Sequence, residues 1–228
     1  MMIWRFTNPN DERFAEASRR GAWSAGGQCP ICKASTARRV RPLLLEWESG
    51  SDRIGDFVVT GFDSDVAISD PVAKALADVQ GFELGPVEMV ANASLVKRPA
   101  SAAPRVWLPY VGSSLFELWV NLKVPLDLQR STVTVSNQCD LCGRREYAAE
   151  GLEMIEGRWD KSRGELVRTR IPRAAHAGLF VSDGLVPELA VFRVKEFPAW
   201  VLCTDAVRSV VQREKFSNVD FFSVGETL

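Results

Sequence analysis

Four of the five cysteines lie in two short stretches, QCPICK at residues 28–33 and QCDLCG at residues 138–143. Each stretch is a CxxC turn, which places two thiolates on the same side of the chain. Two such turns supply the four sulfur ligands of the closed tetrahedral shell that structural Zn²⁺ prefers. The spacing therefore predicts one structural Zn²⁺, with Cys29, Cys32, Cys139 and Cys142 as its ligands.

The residues beside the two turns agree with a metal site. Four thiolates around Zn²⁺ leave about two negative charges, and Lys33, Arg144 and Arg145 follow the turns closely. Gly143 stands where such a turn often needs a positive φ, which glycine adopts without a Cβ clash. Lys33 occupies the equivalent position of the first turn, so we expect there either a cost of about 1 kcal/mol or a different loop geometry.

Length and composition are those of an ordinary globular protein. The 228 residues are 46% apolar and 25% charged, and the formal net charge is −1. No stretch approaches the roughly 18 apolar residues of a membrane span, and the start, MMIWRFTNPNDERF, lacks the basic and apolar parts of a secretory signal. We expect a cytoplasmic protein without membrane contact, recognised by its partner through a local surface.

Two other interpretations of the cysteine pairs stay open. CxxC pairs also serve as redox centres, which usually follow a buried strand and open a helix, and SAGGQ before Cys29 does not resemble such a strand. The four thiols could also be free. Because 110 positions separate Cys29 from Cys139, a shared metal would be a long-range link and not the centre of a small zinc ribbon. Cys203, in the apolar AWVLCTD, is expected to be a buried small side chain.

Short strands dominate the pattern after residue 42. PLLLEWE, GDFVVTG, GFELGPVEMV, SLFELWVNLKV and STVTVS carry β-branched and aromatic residues between turn formers. Helices are predicted within SDPVAKALADVQG and TDAVRSVVQREK, and a further short helix over NPNDERFAEASRRG. The polar, Arg-rich stretch 157–188 is expected to be a long surface excursion. The predicted fold class is α+β, with mostly antiparallel short strands and a few helices.

Two segments share one order of residue types. AISDPVAKALADVQGFELGPVEM and VLCTDAVRSVVQREKFSNVDFFSV both run from an apolar strand through a Ser/Thr-Asp cap and a helix to a returning strand. With one CxxC turn upstream of each, the pattern indicates two related halves joined by the zinc site. Strand-helix-strand units are also common by themselves, so an accidental likeness is the alternative. We predict a single domain over residues 1–228, with a soft internal division near residue 100.

The residue types offer little for catalysis, and we expect no enzyme activity. His176 is the only histidine, so a Ser-His or Cys-His arrangement would have to be built on it. A closed four-cysteine shell leaves no position for a reacting water. GFDSD at 61–65 is more simply an acidic turn than a cation site, and the glutamates of EGLEMIEG are expected on a solvated helical face.

A family resemblance covers nearly the whole chain. The CxxC turns near residues 30 and 140, an N-terminal WRF and the run LAVFRVKEFPAWVLCTDAVRSVVQREKFSNVDFFSV resemble the double-CXXCG motif family. The chain departs from that pattern at Lys33, where the first motif would have glycine. Members of the family include immunity proteins that protect a bacterium from a toxin delivered by its siblings. The resemblance therefore implies an immunity protein whose partner is a cognate toxin.

Such an immunity protein would bind its toxin through a few exposed aromatic and arginine anchors. Trp23 and Trp159 stand in Gly-rich or charged surroundings and are expected to be exposed. Trp107, Trp119 and Trp200 stand in apolar strand patterns and are expected in the core. An enzyme acting through the 157–188 excursion is a third and weaker hypothesis.

The alternative function is a zinc-ribbon nucleic-acid-binding protein, whose phosphate contacts would come from basic residues near the turns and in the excursion. Those residues are Lys33, Arg38, Arg39, Arg41, Arg144, Arg145, Arg158, Lys161, Arg163, Arg168, Arg170 and Arg173. Asp160 and Glu165 interrupt the second group, and apart from Trp159 no aromatic residue is interleaved with it for base stacking. Nucleic acid is therefore the less favoured partner.

Overall fold

The computed structural model describes residues 1–60, 64–91, 104–160, 162 and 164–228. Across these residues the chain is mostly strands, as the sequence predicts, and it has two of the three predicted helices. In chain order the elements are β1 (Met2–Thr7), β2 (Ala17–Arg20), β3 (Leu43–Trp47), β4 (Phe57–Thr60), β5 (Asp65–Ser69), α1 (Asp70–Ala75), β6 (Phe82–Val90), β7 (Leu115–Val120), β8 (Lys123–Val124), β9 (Val133–Gln138), β10 (Arg145–Ala149), β11 (Met154–Asp160), β12 (Glu165–Ile171), β13 (Leu179–Val181), β14 (Val191–Val194), β15 (Leu202–Thr204), α2 (Asp205–Arg213) and β16 (Asp220–Thr227).

Two six-stranded sheets form the body of the protein. The first sheet has the order β2-β3-β6-β7-β5-β4, and the second has the order β13-β16-β1-β15-β14-β8. Two separate hairpins, β9–β10 and β11–β12, complete the described strands. The five segments predicted as strands all contain strands, because apolar residues recur there at the spacing of a half-buried sheet.

The two sheets share a five-strand pattern of order and direction. In the first, β3 runs parallel to β6, while β6–β7, β7–β5 and β5–β4 are antiparallel. In the second, β13 runs parallel to β16, while β16–β1, β1–β15 and β15–β14 are antiparallel. A helix follows β5 in one sheet and β15 in the other. The strand that matches β7 is β1, which comes from the other end of the chain.

One hydrophobic core lies between the sheets and holds both helices. Phe57 and Ile68 come from the first sheet, Phe6 and Phe221 come from the second, and Val207 of α2 packs among them. Separate apolar clusters cover the outer face of each sheet, one around Leu45 and Trp47 and the other around Phe192 and Leu202. Strands buried on both faces explain the continuous apolar runs in the sequence.

The helix predicted over NPNDERFAEASRRG is wrong. Asn10 has a φ of 52°, the amide of Arg13 donates to Asp11 Oδ1 at 3.0 Å, and the end of the segment forms β2, which pairs with β3. Asp11 therefore closes a turn with its side chain, a common alternative to a helix start.

The surface excursion predicted for 157–188 is right for the exposed hairpin residues and wrong for the buried residues 177–181. The stretch contains the end of β11, the whole of β12 and the buried strand β13. Glu153 directly precedes β11 and Glu156 lies within it, so these glutamates do not share a helical face. Alternating charged residues in a two-stranded hairpin do not produce the apolar pattern that identifies a half-buried strand.

The two predicted helices α1 and α2 are present, with Ser69 and Thr204 at their N-cap positions. Neither side chain makes the capping hydrogen bond. Ser69 Oγ donates instead to Asp56 Oδ1 at 3.0 Å, and Thr204 Oγ1 accepts from the amide of Ala190 at 3.4 Å. Both hydroxyls thus connect a helix start to a neighbouring segment.

The predicted internal division near residue 100 lies outside the described residues. Sheet membership along the chain changes after β7, when β8 joins the second sheet. In the part of the chain that the structure describes, no helix is long and apolar enough to cross a membrane.

Asp56 joins the segments before β4 and before β16. Its Oδ2 accepts from the amide and the hydroxyl of Ser217 at 2.9 and 2.6 Å, while its Oδ1 accepts from Ser69. The amide of Asp56 donates back to Ser217 Oγ at 3.0 Å. One carboxylate therefore ties a loop of the first sheet to a loop of the second.

We predict that Asp56→Ala lowers the free energy of unfolding by about 2–4 kcal/mol, because three donors lose a charged acceptor. Urea unfolding followed by circular dichroism measures the change. Asp52→Ala removes an exposed carboxylate nearby and should shift the value by less than about 0.5 kcal/mol. Equal unfolding midpoints for the two variants would contradict the link.

Candidate metal centre

The four cysteines of the two CxxC turns converge on one point. Their Sγ atoms all lie within 4.8 Å of one another. Cys29 and Cys139 are 3.7 Å apart between sulfurs, and Cys32 and Cys142 are 3.6 Å apart. Both of these contacts join the two turns, although 110 positions separate the members of each pair. This cluster could hold a metal ion.

Each turn is the tip of a hairpin. The first hairpin covers residues 22–40, where Trp23 pairs with Arg39, Gln28 pairs with Ser35, and the amide of Ser24 donates to Arg38 at 2.7 Å. We call it the N-hairpin. The second is β9–β10, in which Gln138 and Arg145 form the last pair before the turn. The two tips have the same length, and both begin at a glutamine.

The two turns also share their hydrogen bonds. The Cys29 amide donates to Ala34 at 2.9 Å, and the Cys139 amide donates to Arg144 at 2.9 Å. Carbonyls of the same cysteines accept from the amides of Lys33 and Gly143, at 3.0 and 2.9 Å. The sequence therefore identified two copies of one local structure.

Lys33 keeps this geometry in spite of its side chain. It has a φ of 59°, close to the 69° of Gly143, so both residues are left-handed. A non-glycine residue pays roughly 1 kcal/mol there. The Lys33 ammonium donates to the carbonyl of Pro30 at 2.8 Å and closes the turn from outside. The sequence left open whether Lys33 adopts a positive φ at some cost or the first turn has a different geometry. The structure shows the positive φ and the same geometry.

The clustered thiols differ in how firmly they hold protons. A backbone hydrogen bond from Cys142 is the largest influence on Cys139 and lowers its pKa to about 6. A backbone hydrogen bond from Cys32 lowers the pKa of Cys29. At Cys32 the amide of Ala34 favours the thiolate, but burial and the neighbouring thiols outweigh it and raise the pKa to about 11. The pKa is therefore lowered at one cysteine of each turn, Cys29 and Cys139, which suits a cation.

The N-hairpin is attached to the first sheet by a buried ion pair. The Arg39 side chain, 9% exposed, pairs with Glu117 of β7 and lies 3.4 Å from Asp65 of β5. Its guanidinium lies 4.8 Å from the ring centre of Trp119. Burial lowers the pKa of Arg39, although Asp65 opposes this shift. The guanidinium therefore fixes the hairpin to the sheet.

The β9–β10 hairpin is attached to the second sheet by apolar contacts. Val133, Tyr147 and Ala149 pack against the outer cluster of that sheet, and Tyr147 lies 6.4 Å from Phe197 between ring centres. The cysteine cluster thus joins a hairpin seated on one sheet to a hairpin seated on the other.

Sequence reasoning missed the role of Arg39. It placed this arginine among the phosphate contacts, whereas the structure buries it against Glu117. Glu117 is 1% exposed, and a lone glutamate in the otherwise apolar strand LFELWV was the available signal. Buried carboxylates need a partner, so the strand should have prompted a search for an arginine.

The remaining candidate residues stay apart from the cluster. Cys203 is fully buried, and burial raises the pKa of its thiol well above the ordinary value. His176 is exposed in a turn with a φ of 64°. Of the acidic stretch 61–65, residues 61–63 lie outside the described residues, and Asp65 is bound to Arg19 and Arg39.

Comparisons with protein-family models and with curated proteins found no match to this chain.

We predict that Cys32→Ala weakens metal binding by at least about 100-fold. Four ligands share an apparent binding free energy of about 10–16 kcal/mol in structural thiolate sites, so each contributes several kcal/mol. Competition with a chromogenic chelator measures the affinity. Cys203→Ala, which removes a thiol outside the cluster, should bind metal as the unchanged chain does. Equal affinity of the Cys32 variant would exclude a four-ligand site.

Proposed function

We propose that the four cysteines bind one structural Zn²⁺. Zn–S bonds of about 2.3 Å in a tetrahedron place neighbouring sulfurs about 3.8 Å apart, and the two sulfur pairs that join the turns lie at 3.6 and 3.7 Å. Four thiolates make a soft, closed shell that suits Zn²⁺ and leaves no position for a substrate. The convergence of these sulfurs is the observation that carries the proposal.

The proposed ion acts as a clasp between the two sheets. We infer that the sheets arose as related halves, each with one cysteine hairpin before the first strand of the shared pattern, β3 or β13. Support comes from the equal order and directions of those strands and from the matching hydrogen bonds of the two turns. A cation bound by both tips would fix the hairpins relative to each other more firmly than their own contacts do.

The chain as a whole is proposed to be a bacterial immunity protein that binds a cognate toxin and blocks it. The resemblance to the double-CXXCG family motivates this role, and a closed metal shell agrees with a binding function. Recognition would use exposed anchors. Trp23 and Trp159 are exposed, as predicted, with 56% and 59% of their surface free.

The remaining tryptophan predictions need correction. Trp107 is exposed, so its assignment to the core is wrong. Trp119 and Trp200 are half-buried: Trp119 lies beneath Arg39 and Trp200 stacks on Phe197. Trp23, Trp107 and Trp159 are therefore the tryptophans able to contact a partner.

Nucleic-acid binding is the second candidate, and fewer basic residues are free for it than the sequence suggested. Arg39 is buried, Arg41 pairs with Glu83, and Arg170 binds Glu153 and Asp220. Lys161 and Arg163 lie outside the described residues. The exposed cations beside the metal site are Lys33, Arg38, Arg144 and Arg145, and they favour this function.

Chelating the proposed Zn²⁺ should loosen the two cysteine hairpins and leave the two sheets folded. We expect hydrogen exchange to speed up at residues 22–40 and 133–149, while β5 and β15 stay protected. Mass spectrometry of exchanged peptides measures this in chelator and after Zn²⁺ is restored. Loss of protection throughout the chain, or no change at either hairpin, would contradict a clasp.

The immunity role is tested by expressing the chain beside candidate toxins, beginning with the products of adjacent genes. We expect one toxin to be neutralised in cells and to form a complex with the purified chain in calorimetry. Growth arrest that persists with every candidate, together with no complex, would overturn the role. Strong, steeply salt-dependent binding to DNA or RNA would favour the second candidate.

A further inference from the structure

The β11–β12 hairpin is an addition to the pattern that the two sheets share. In the first half, the chain leaves its cysteine hairpin and enters β3 directly. In the second half, it leaves the β9–β10 hairpin and forms β11–β12 before entering β13, the match of β3. The added hairpin belongs to neither sheet. The common scaffold is therefore complete without it.

The base of this hairpin is fixed to the second sheet. Arg170 donates to Asp220 at 3.0 Å and to the carbonyl of Phe221, and the Ser223 amide donates to Glu153. Ile155 packs against the outer cluster of that sheet. The distal half is exposed, with Trp159 at 59% and its cross-strand partner Leu166 at 49%. A long hairpin held only at its base presents its end to solvent.

The two faces of the hairpin differ in charge. Cross-strand partners share a face, and neighbours along a strand alternate. One face carries Ile155, Trp159, Leu166, Arg168 and Arg170, with Gly157 opposite Arg168. We call it the arm face. Its side chains include no carboxylate, whereas Glu156, Arg158 and Asp160 lie on the opposite face.

Arg168 is the free cation of the arm face among the described residues. Arg170 is neutralised by Glu153 and Asp220, while Arg168 is exposed and makes no ion pair with a described residue. Gly157, across from Arg168, has no side chain of its own, and the Leu166 side chain lies 3.4 Å from the place its Cβ would take. An exposed tryptophan, a leucine and an unpaired arginine therefore lie side by side. Tryptophan and arginine are the residues most enriched at binding hot spots.

We propose that the arm face docks into an apolar pocket bordered by carboxylates on a partner protein. Trp159 and Leu166 fill the pocket, and Arg168 pairs with the carboxylates. This inference rests on the proposed function and names the surface that the toxin contacts. A second copy of the chain fits less well, because a two-fold contact between arm faces brings Arg168 near its own copy. Nucleic acid fits less well because the face offers one aromatic ring and one free cation.

The test uses a toxin that the unchanged chain neutralises, and measures the dissociation constant for three variants. Trp159→Ala should weaken binding by about 30-fold or more, as loss of a hot spot does. Arg168→Glu should weaken it by about 10-fold or more, because like charges then face each other. Arg158→Glu is the matched control, since it makes the same charge change at an exposed, unpaired arginine of the opposite face. It should change the constant by less than about threefold.

Melting temperatures check that each variant is folded before binding is measured. If all three variants bind as the unchanged chain does, the arm face is not the docking surface, although the immunity role stands. If Arg158→Glu and Arg168→Glu weaken binding equally, the charge argument is wrong. If the unchanged chain binds no toxin, both proposals fall. If light scattering shows a dimer that Trp159→Ala dissociates, a second copy of the chain binds the arm face instead of a toxin. If the chain binds single-stranded DNA and Trp159→Ala abolishes this binding, nucleic acid binds there instead.

Discussion

The meeting of four sulfur atoms at the tips of two hairpins is the constraint on which the rest of the structure depends. The N-hairpin stands on the first sheet and the β9–β10 hairpin on the second, and their turns meet through cysteines 110 positions apart. Residues around the cluster are largely exposed, so little apolar burial holds the tips together. A bound cation would supply the attraction that packing does not, and would close a very long loop in the chain.

A metal at the tips stabilises the body only if the hairpins are firmly seated. Arg39 attaches the N-hairpin to the first sheet by pairing with Glu117 and Asp65. All three charged side chains are largely buried. Removing one member of such a set leaves an uncompensated charge, which costs about 3–5 kcal/mol. The opposite hairpin is seated by apolar packing around Tyr147. A bound ion would therefore connect two hairpins that are attached in different ways.

The sequence predicted the features that depend on residues close together in the chain. Two identical cysteine spacings identified the cluster, and Gly143 indicated the left-handed end of a turn that Lys33 also adopts. Alternating apolar residues identified most strands. What failed depends on distant partners: β2 becomes a strand because β3 lies beside it, and both faces of the β11–β12 hairpin mix apolar with charged residues. The pairing of Arg39 with Glu117 is likewise set by the fold and not by their neighbours in sequence.

The most direct measurement of the central claim is zinc-edge X-ray absorption on the purified protein, combined with its metal content. The account predicts about one Zn²⁺ per chain with four sulfur neighbours at about 2.3 Å. It also predicts that this shell loses a sulfur when Cys29 or Cys139 is replaced, since each turn supplies half of it. A shell of nitrogen and oxygen neighbours, or two sulfurs from one turn alone, would contradict the clasp.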